Sequence, residues 1–232
     1  MKEQYQRSEM LFGSDAMQRL RNAEVAVFGI GGVGGHAAEA LARSGVGRIH
    51  LIDSDRVALS NLNRQAVALH STIGMYKVDV MLERIKDIDP DIEVITHKTF
   101  FSEETVGEFD FSRFDMVIDA IDSVPSKLLL IECATAQSCG IVSSMGAGNK
   151  LDPTAFEVAD IYSTSVCPLA RALRSQLRRR GIRSLKVVYS KEQPVIPPKE
   201  DGRAVPASNA FVPATAGLIL AGEAVKTIIG KV

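Results

Sequence analysis

Short apolar runs alternate with stretches whose apolar positions recur every three to four residues through the first two thirds of the chain. The runs predict strands at Val25–Gly29, Ile49–Ile52, Ile92–Thr96, Met116–Ile118 and Ile141–Ser144. The longer periods predict helices near Gly34–Ser44, Met75–Ile88 and Ser126–Ser138. Strands and helices taking turns in this way build a doubly wound, mainly parallel α/β sheet with helices on both faces. Right-handed crossovers then align the carboxyl ends of the strands along one edge, where ligands bind. A shorter C-terminal extension follows, with a strand near Phe156–Val158, a helix near Pro168–Arg180 and a strand near Leu185–Tyr189. Residues 191–209 hold four of the nine prolines among charged residues and read as a mobile loop. A last helix starts near Pro213.

Composition narrows this picture. The chain has 232 residues, 46% of them hydrophobic, which suits one elaborated domain spanning 1–232. A formal net charge of −1 leaves no whole-protein field toward nucleic acid or membrane, so any RNA contact needs a local patch. The three cysteines, Cys133, Cys139 and Cys167, lack C-x-x-C spacing, which argues against a zinc site and for a reducing cytoplasm. The N-terminal residues have no apolar core and do not read as a secretory signal. The apolar stretch 217–229 is short for a bilayer span and carries Glu223 and Lys226, so it reads as a buried or interface helix.

Gly29-Ile30-Gly31-Gly32-Val33-Gly34 follows a predicted strand and opens a predicted helix. This Rossmann-like arrangement lets a phosphate chain approach free N–H groups at a helix N-terminus. Asp53 ends the next strand, 19 residues beyond Gly34, where a carboxylate suits ribose hydroxyls. On this motif alone NAD is favoured over ATP. Three further segments reverse that preference: Ser60-Asn61-Leu62-Asn63-Arg64-Gln65 past the second strand, Lys77 at a helix start, and Asp119-Ala120-Ile121-Asp122 ending a strand. Each falls on the expected ligand edge. Arg64 or Lys77 alone would read as a surface residue, and Asp122 alone as a helix cap. Together they give two cations and an acid around one nucleotide. Attack of a carboxylate on an α-phosphate needs that set, with Mg²⁺ held by Asp122 and phosphate oxygens; hydride transfer does not.

The run from Gly29 through Gly45-Val46-Gly47, Asp53, Asp55, Ser60–Gln65, Lys77 and Asp122 resembles the ubiquitin-activating (ThiF/MoeB/HesA) superfamily. The resemblance covers about residues 7–150 as a nucleotide-binding core. It implies that Gly31 and Asp53 hold ATP, that Asn61, Arg64 and Lys77 contact its phosphates, and that Asp122 binds Mg²⁺. Gly29, Gly32, Gly34 and Asp55 fall in the same nucleotide-binding motifs. Arg7 resembles the arginine that reaches a partner subunit's active site, which implies a homodimer.

Ser143-Ser144-Met145-Gly146-Ala147-Gly148, Asp152-Pro153-Thr154, the run Pro168–Arg174, Tyr189-Ser190 and Pro194 resemble the tRNA threonylcarbamoyladenosine dehydratase branch. That branch implies ATP activation of the threonylcarbamoyladenosine carboxylate beside the tRNA anticodon. Displacement by an internal nitrogen then gives a cyclic product and net loss of water. Residues 151–232 would be the substrate-facing and tRNA-facing part. The paired zinc cysteines of the molybdopterin and thiamine relatives are missing, so no zinc is expected.

Between Arg171 and Lys186 lie seven basic residues and no acid, with Arg171, Arg174 and Arg178 on one helical face and Arg179 beside them. Such a stripe is either a solvated helix face or a tRNA phosphate contact, and the resemblance favours the latter. Cys167 reads as structural, and His36, His50, His70 and His97 are scattered without ligand spacing. Adenylation of the C-terminal glycine of a small ubiquitin-like sulfur carrier is the runner-up function. NAD-dependent oxidoreduction and non-catalytic nucleotide binding stand behind it. A monovalent cation near Ser143–Asn149, and a cysteine-desulfurase or sulfur-acceptor partner, are left open.

Overall fold

A computed structural model describes residues 2–195 and 206–231. Seven strands form one sheet: β1 Glu24–Phe28, β2 Arg48–Ile52, β3 Glu93–His97, β4 Met116–Asp119, β5 Gly140–Ser144, β6 Phe156–Asp160 and β7 Lys186–Ser190. Their order is β3-β2-β1-β4-β5-β7-β6, all parallel except the β6–β7 pair. The order reverses between β1 and β4, and this switch point opens a crevice at the strand carboxyl ends.

The helices are α1 Gln6–Phe12, α2 Ser14–Asn22, α3 Gly34–Arg43, α4 Lys77–Ile88, α5 Val124–Ala136, α6 Pro168–Arg179 and α7 Val212–Ile229. All five residues of β1 are buried, as expected for a central strand covered on both faces. Val25 and Val27 join the core under α3, α4 and α7, while Ala26 and Phe28 join a second core of Phe101, Phe109, Phe111 and Phe114. A third cluster joins α5, α6 and β7 through Leu128, Ile131, Leu173, Leu177 and Val187.

Helix α7 is long and apolar enough by length and composition to cross a membrane. Here it is a core element: Val212, Ala216, Leu220 and Ala224 are fully buried with Ala37, Ala38 and Leu41 of α3. Gly217 lets the two helices meet, since a Cβ there would lie 2.2 Å from the Val33 carbonyl oxygen. The predicted mobile loop 191–209 needs revision at its described ends. Lys191 N–H donates to Ala155, Val195 N–H to Asn149, and Ala207 accepts from Asn149 N–H. Residues 196–205 lie outside the described part.

Candidate nucleotide and substrate site

A cavity of about 680 Å³ occupies the switch-point crevice, within the range of small-ligand sites. Every parallel strand from β3 to β5 delivers a loop to it. Gly29, Gly31 and Gly32 follow β1, Asp53 and Asp55 follow β2, Phe100 follows β3, Asp122 follows β4, and Met145–Gly148 follow β5. Asn61, Arg64 and Lys77 complete the wall. Arg64, Lys77 and Asp122, separated by up to 58 positions in sequence, therefore face one space.

The glycine turn is shaped by close backbone contacts. A Cβ on Gly34 would lie 1.8 Å from the Gly29 carbonyl oxygen, and Gly29 itself has φ +89°. Gly34 is thus a packing position and does not line the cavity, unlike its three companions. Among the described residues, the N–H groups of Gly31, Gly32 and Val33 donate to no backbone acceptor. They stand ahead of α3, where the helix dipole favours an anion.

Asp53 is fixed by the same turn: Ile30 N–H donates to its Oδ2 (2.7 Å) and Asp55 N–H to its Oδ1 (2.8 Å). Burial pushes its carboxyl above the ordinary value, with Lys77 and those N–H groups pulling the other way. Lys77 opens α4 and is buried; its Nζ lies 2.7 Å from Asp55 and 3.9 Å from Asp53. Arg64 stays at the cavity wall by donating to Ser60 carbonyl (2.9 Å) and Asn63 Oδ1 (3.0 Å). Asn61 Oδ1 accepts from Ala58 N–H, closing the short turn that presents both residues.

Asp122 does not cap a helix; Ser123 holds the N-cap place of α5. Its carboxylate is exposed on the cavity wall and, among the described residues, has no ion-pair partner. No group of three or more His, Cys, Asp or Glu able to hold a metal occurs among the described residues. One exposed carboxylate in a cavity lined by the glycine turn, Arg64 and Lys77 fits Mg²⁺, an ion that one or two carboxylates hold alongside water and phosphate oxygens.

Beneath the cavity lies a network that the sequence reading missed. Lys127 and Asp119 are fully buried, 2.8 Å apart, and Lys127 also donates to the Ser144 carbonyl (3.0 Å). Ser143 Oγ donates to Asp119 Oδ2 (2.5 Å). Gln65 lines the cavity with the Ser60–Gln65 segment expected there, though it was given no role of its own; Phe100 was missed, and it follows a strand end, so topology placed it there.

Arg7 is exposed on α1 and lies outside this cavity. Helix α6 begins at the cavity rim with Leu169 and runs away from it. Its arginines do not form one free stripe. Arg174 turns inward and donates to the Thr164 carbonyl (3.0 Å), Arg178 lies 5.0 Å over the Tyr162 ring, and Arg180 pairs with Glu132. Lys186 pairs with Glu223, so acids distant in sequence neutralise two of the seven charges. Arg171, Arg178, Arg179 and Arg183 are exposed and, among the described residues, have no carboxylate partner. The histidines are less scattered than expected: His50 Nδ1 and His97 Nε2 lie 3.1 Å apart on neighbouring strands. Cys133, Cys139 and Cys167 are free thiols, the last two buried.

Comparison with known proteins agrees with this architecture. The pattern of the ThiF family matches residues 5–232. The tRNA threonylcarbamoyladenosine dehydratase of Bacillus subtilis (strain 168) is 44% identical, covering 99% of this chain and 96% of that one. The enzyme of the same name from Escherichia coli (strain K12) is 40% identical over 83% of this chain and 74% of its own. The crystal structure of E. coli tRNA N6-threonylcarbamoyladenosine dehydratase in complex with ATP superposes with TM-score 0.91 at 36% identity, covering 99% of this chain and 95% of that one. On the glycine turn, the switch-point cavity and this whole-chain likeness, the protein belongs to the ThiF family.

Proposed function

We propose that the chain is an ATP-dependent tRNA threonylcarbamoyladenosine dehydratase. One observation carries the reading: two cations, a free carboxylate and a glycine-rich helix start face one cavity, in a chain 44% identical end to end to an enzyme of that name. ATP lies with its ribose toward Asp53 and its phosphates on the glycine turn, Arg64 and Lys77. Asn61 holds the loop that presents Arg64. Asp122 would hold Mg²⁺, which would supply charge stabilisation at the phosphates.

The substrate carboxylate attacks the α-phosphorus. A carboxylate oxygen–phosphorus bond forms, the bond to the β-phosphate oxygen breaks, and pyrophosphate leaves. Arg64, Lys77 and the turn N–H groups oppose the charge that builds on the phosphates. A nitrogen of the same substrate then attacks the acyl carbon, AMP leaves and a proton is released. The closure is intramolecular, so positioning does most of the work.

Residues about 7–150 serve as the nucleotide core and about 151–232 as the substrate-facing part. The exposed arginines of α6 lead from the rim along the tRNA. Two copies assemble so that Arg7 of each serves the other's cavity, and the enzyme works in the cytoplasm.

The test is pyrophosphate release from ATP. tRNA carrying threonylcarbamoyladenosine should stimulate it, and tRNA lacking that nucleoside should not. Stimulation by a Gly-Gly-ended carrier protein instead would overturn the reading in favour of sulfur-carrier activation.

A further inference from the structure

The charged side chains on the cavity wall, Asp53, Asp55, Arg64, Lys77 and Asp122, all precede β5 in the chain. From β5 onward the described lining carries no charge, and its main parts are Met145–Gly148, Leu169 and Pro206–Ser208. A polyanion belongs in the first half, beside the cations and the glycine turn. The second half suits an uncharged, planar group. A nucleoside that reacts inside a cavity leaves its stack and enters base first.

Two segments far apart in sequence build that second half, and one residue joins them. Asn149 N–H donates to the Ala207 carbonyl (2.8 Å), and its Oδ1 accepts from the Ala207 N–H (2.6 Å). The side-chain amide thus closes a ring with Ala207, as a neighbouring strand would. The Asn149 carbonyl accepts from Val195 N–H (2.7 Å). One residue on, the Lys150 carbonyl accepts from Asn209 Nδ2 (2.8 Å), and Asn209 Oδ1 accepts from Val212 N–H (2.9 Å) at the start of α7. The segments are drawn close: a Cβ on Gly148 would lie 3.1 Å from Pro206 Cβ.

The backbone at Asn149 is left-handed, with φ +61°. Holding most side chains there costs about 1–2 kcal/mol, and Gly, Asn and Asp are the residues that adopt it readily. Asn149 therefore meets two demands at once, the turn and a side-chain acceptor for Ala207. It does not line the cavity itself and acts through the residues on either side of it. Resting on the dehydratase reading of this cavity, we infer that Asn149 is a positioning residue for the tRNA substrate. It fixes the width of the uncharged half, where the modified base lies, and leaves the nucleotide half alone.

The experiment uses the full chain, isothermal titration with ATP, and pyrophosphate release with tRNA carrying threonylcarbamoyladenosine. Asn149→Gly keeps the left-handed backbone and its bonds and removes the amide. It should lower kcat/KM for that tRNA about fivefold or more, from the loss of one hydrogen bond that sets the wall. Its Kd for ATP should stay within about twofold of wild type. Asn149→Asp keeps both the turn and the acceptor, and its kcat/KM should stay within about threefold of wild type. Unchanged kcat/KM in Asn149→Gly would overturn the inference. So would a parallel loss of ATP affinity, which marks a role in the fold as a whole, or an Asn149→Asp chain as impaired as Asn149→Gly. A wild-type chain that this tRNA does not stimulate would overturn the dehydratase reading, and with it the inference that rests on it.

Discussion

Lys127 Nζ lies 2.8 Å from Asp119 Oδ2, and both side chains are fully buried beneath the cavity floor. The pair ties together two cavity loops: Ile121 N–H donates to Asp119 Oδ1, and Lys127 donates to the Ser144 carbonyl. Removing one partner leaves an uncompensated buried charge. Lys127→Met should cost about 3–5 kcal/mol in denaturant unfolding. A Lys127→Met/Asp119→Leu variant should recover most of that stability without recovering pyrophosphate release, since the loop carrying Asp122 loses its anchor. Full activity in the double variant would show that the pair does not position the site.

Gly217 and Val33 couple the C-terminal helix to the glycine turn. A methyl group on Gly217 overlaps the Val33 carbonyl oxygen at 2.2 Å, and backbone must move to admit it. Gly217→Ala should destabilise by about 1–3 kcal/mol and also weaken ATP binding, because Val33 belongs to the turn. ATP affinity equal to wild type would mean that α7 does not set the turn's shape.

The arginines of α6 and of the segment after it should separate into two groups. Arg171→Ala, Arg179→Ala and Arg183→Ala together should weaken tRNA binding and leave ATP affinity intact. The salt dependence of tRNA binding should fall by about one unit of slope for each phosphate that is no longer neutralised. Arg174→Ala should lower the unfolding midpoint, because it removes the bond to Thr164. Filter binding at several salt concentrations checks the first group. Unchanged slopes would place the tRNA on another surface.

His50 and His97 give the fold a pH dependence. Burial lowers both imidazoles below the ordinary value; the Glu24 carboxylate partly restores His50. The unfolded chain therefore binds protons first as pH falls. Stability from this pair is present at neutral pH and is lost on acidification through about pH 6.5 and below. His97→Phe should make the fall of the unfolding midpoint between about pH 7.5 and 5.5 shallower. An equal fall in the variant would assign the acid sensitivity to other groups.

The sheet was legible because its strands are short apolar runs between helix-period segments. Its observed strand bounds differ from expectation by at most two residues. The glycine turn and the acidic strand ends were legible because local backbone needs fix them in sequence. α1 was not, since it buries no residue and leaves Met10 and Leu11 exposed. α2 carried a signal, Ala16, Met17 and Leu20 on one face, but over only nine residues. Lys127 and the inward turn of Arg174 depend on which distant segments meet, and spacing along the chain holds no record of that. The same limit hid the acids that neutralise Arg180 and Lys186.

The most direct measurement is mass spectrometry of nucleosides from tRNA incubated with the protein, ATP and Mg²⁺. Threonylcarbamoyladenosine should lose the mass of one water in the wild-type reaction. It should stay intact without ATP, and with Asp122→Ala or Arg64→Ala in chains that still fold. An unaltered nucleoside in the wild-type reaction, or full conversion by both variants, would contradict carboxylate activation in this cavity.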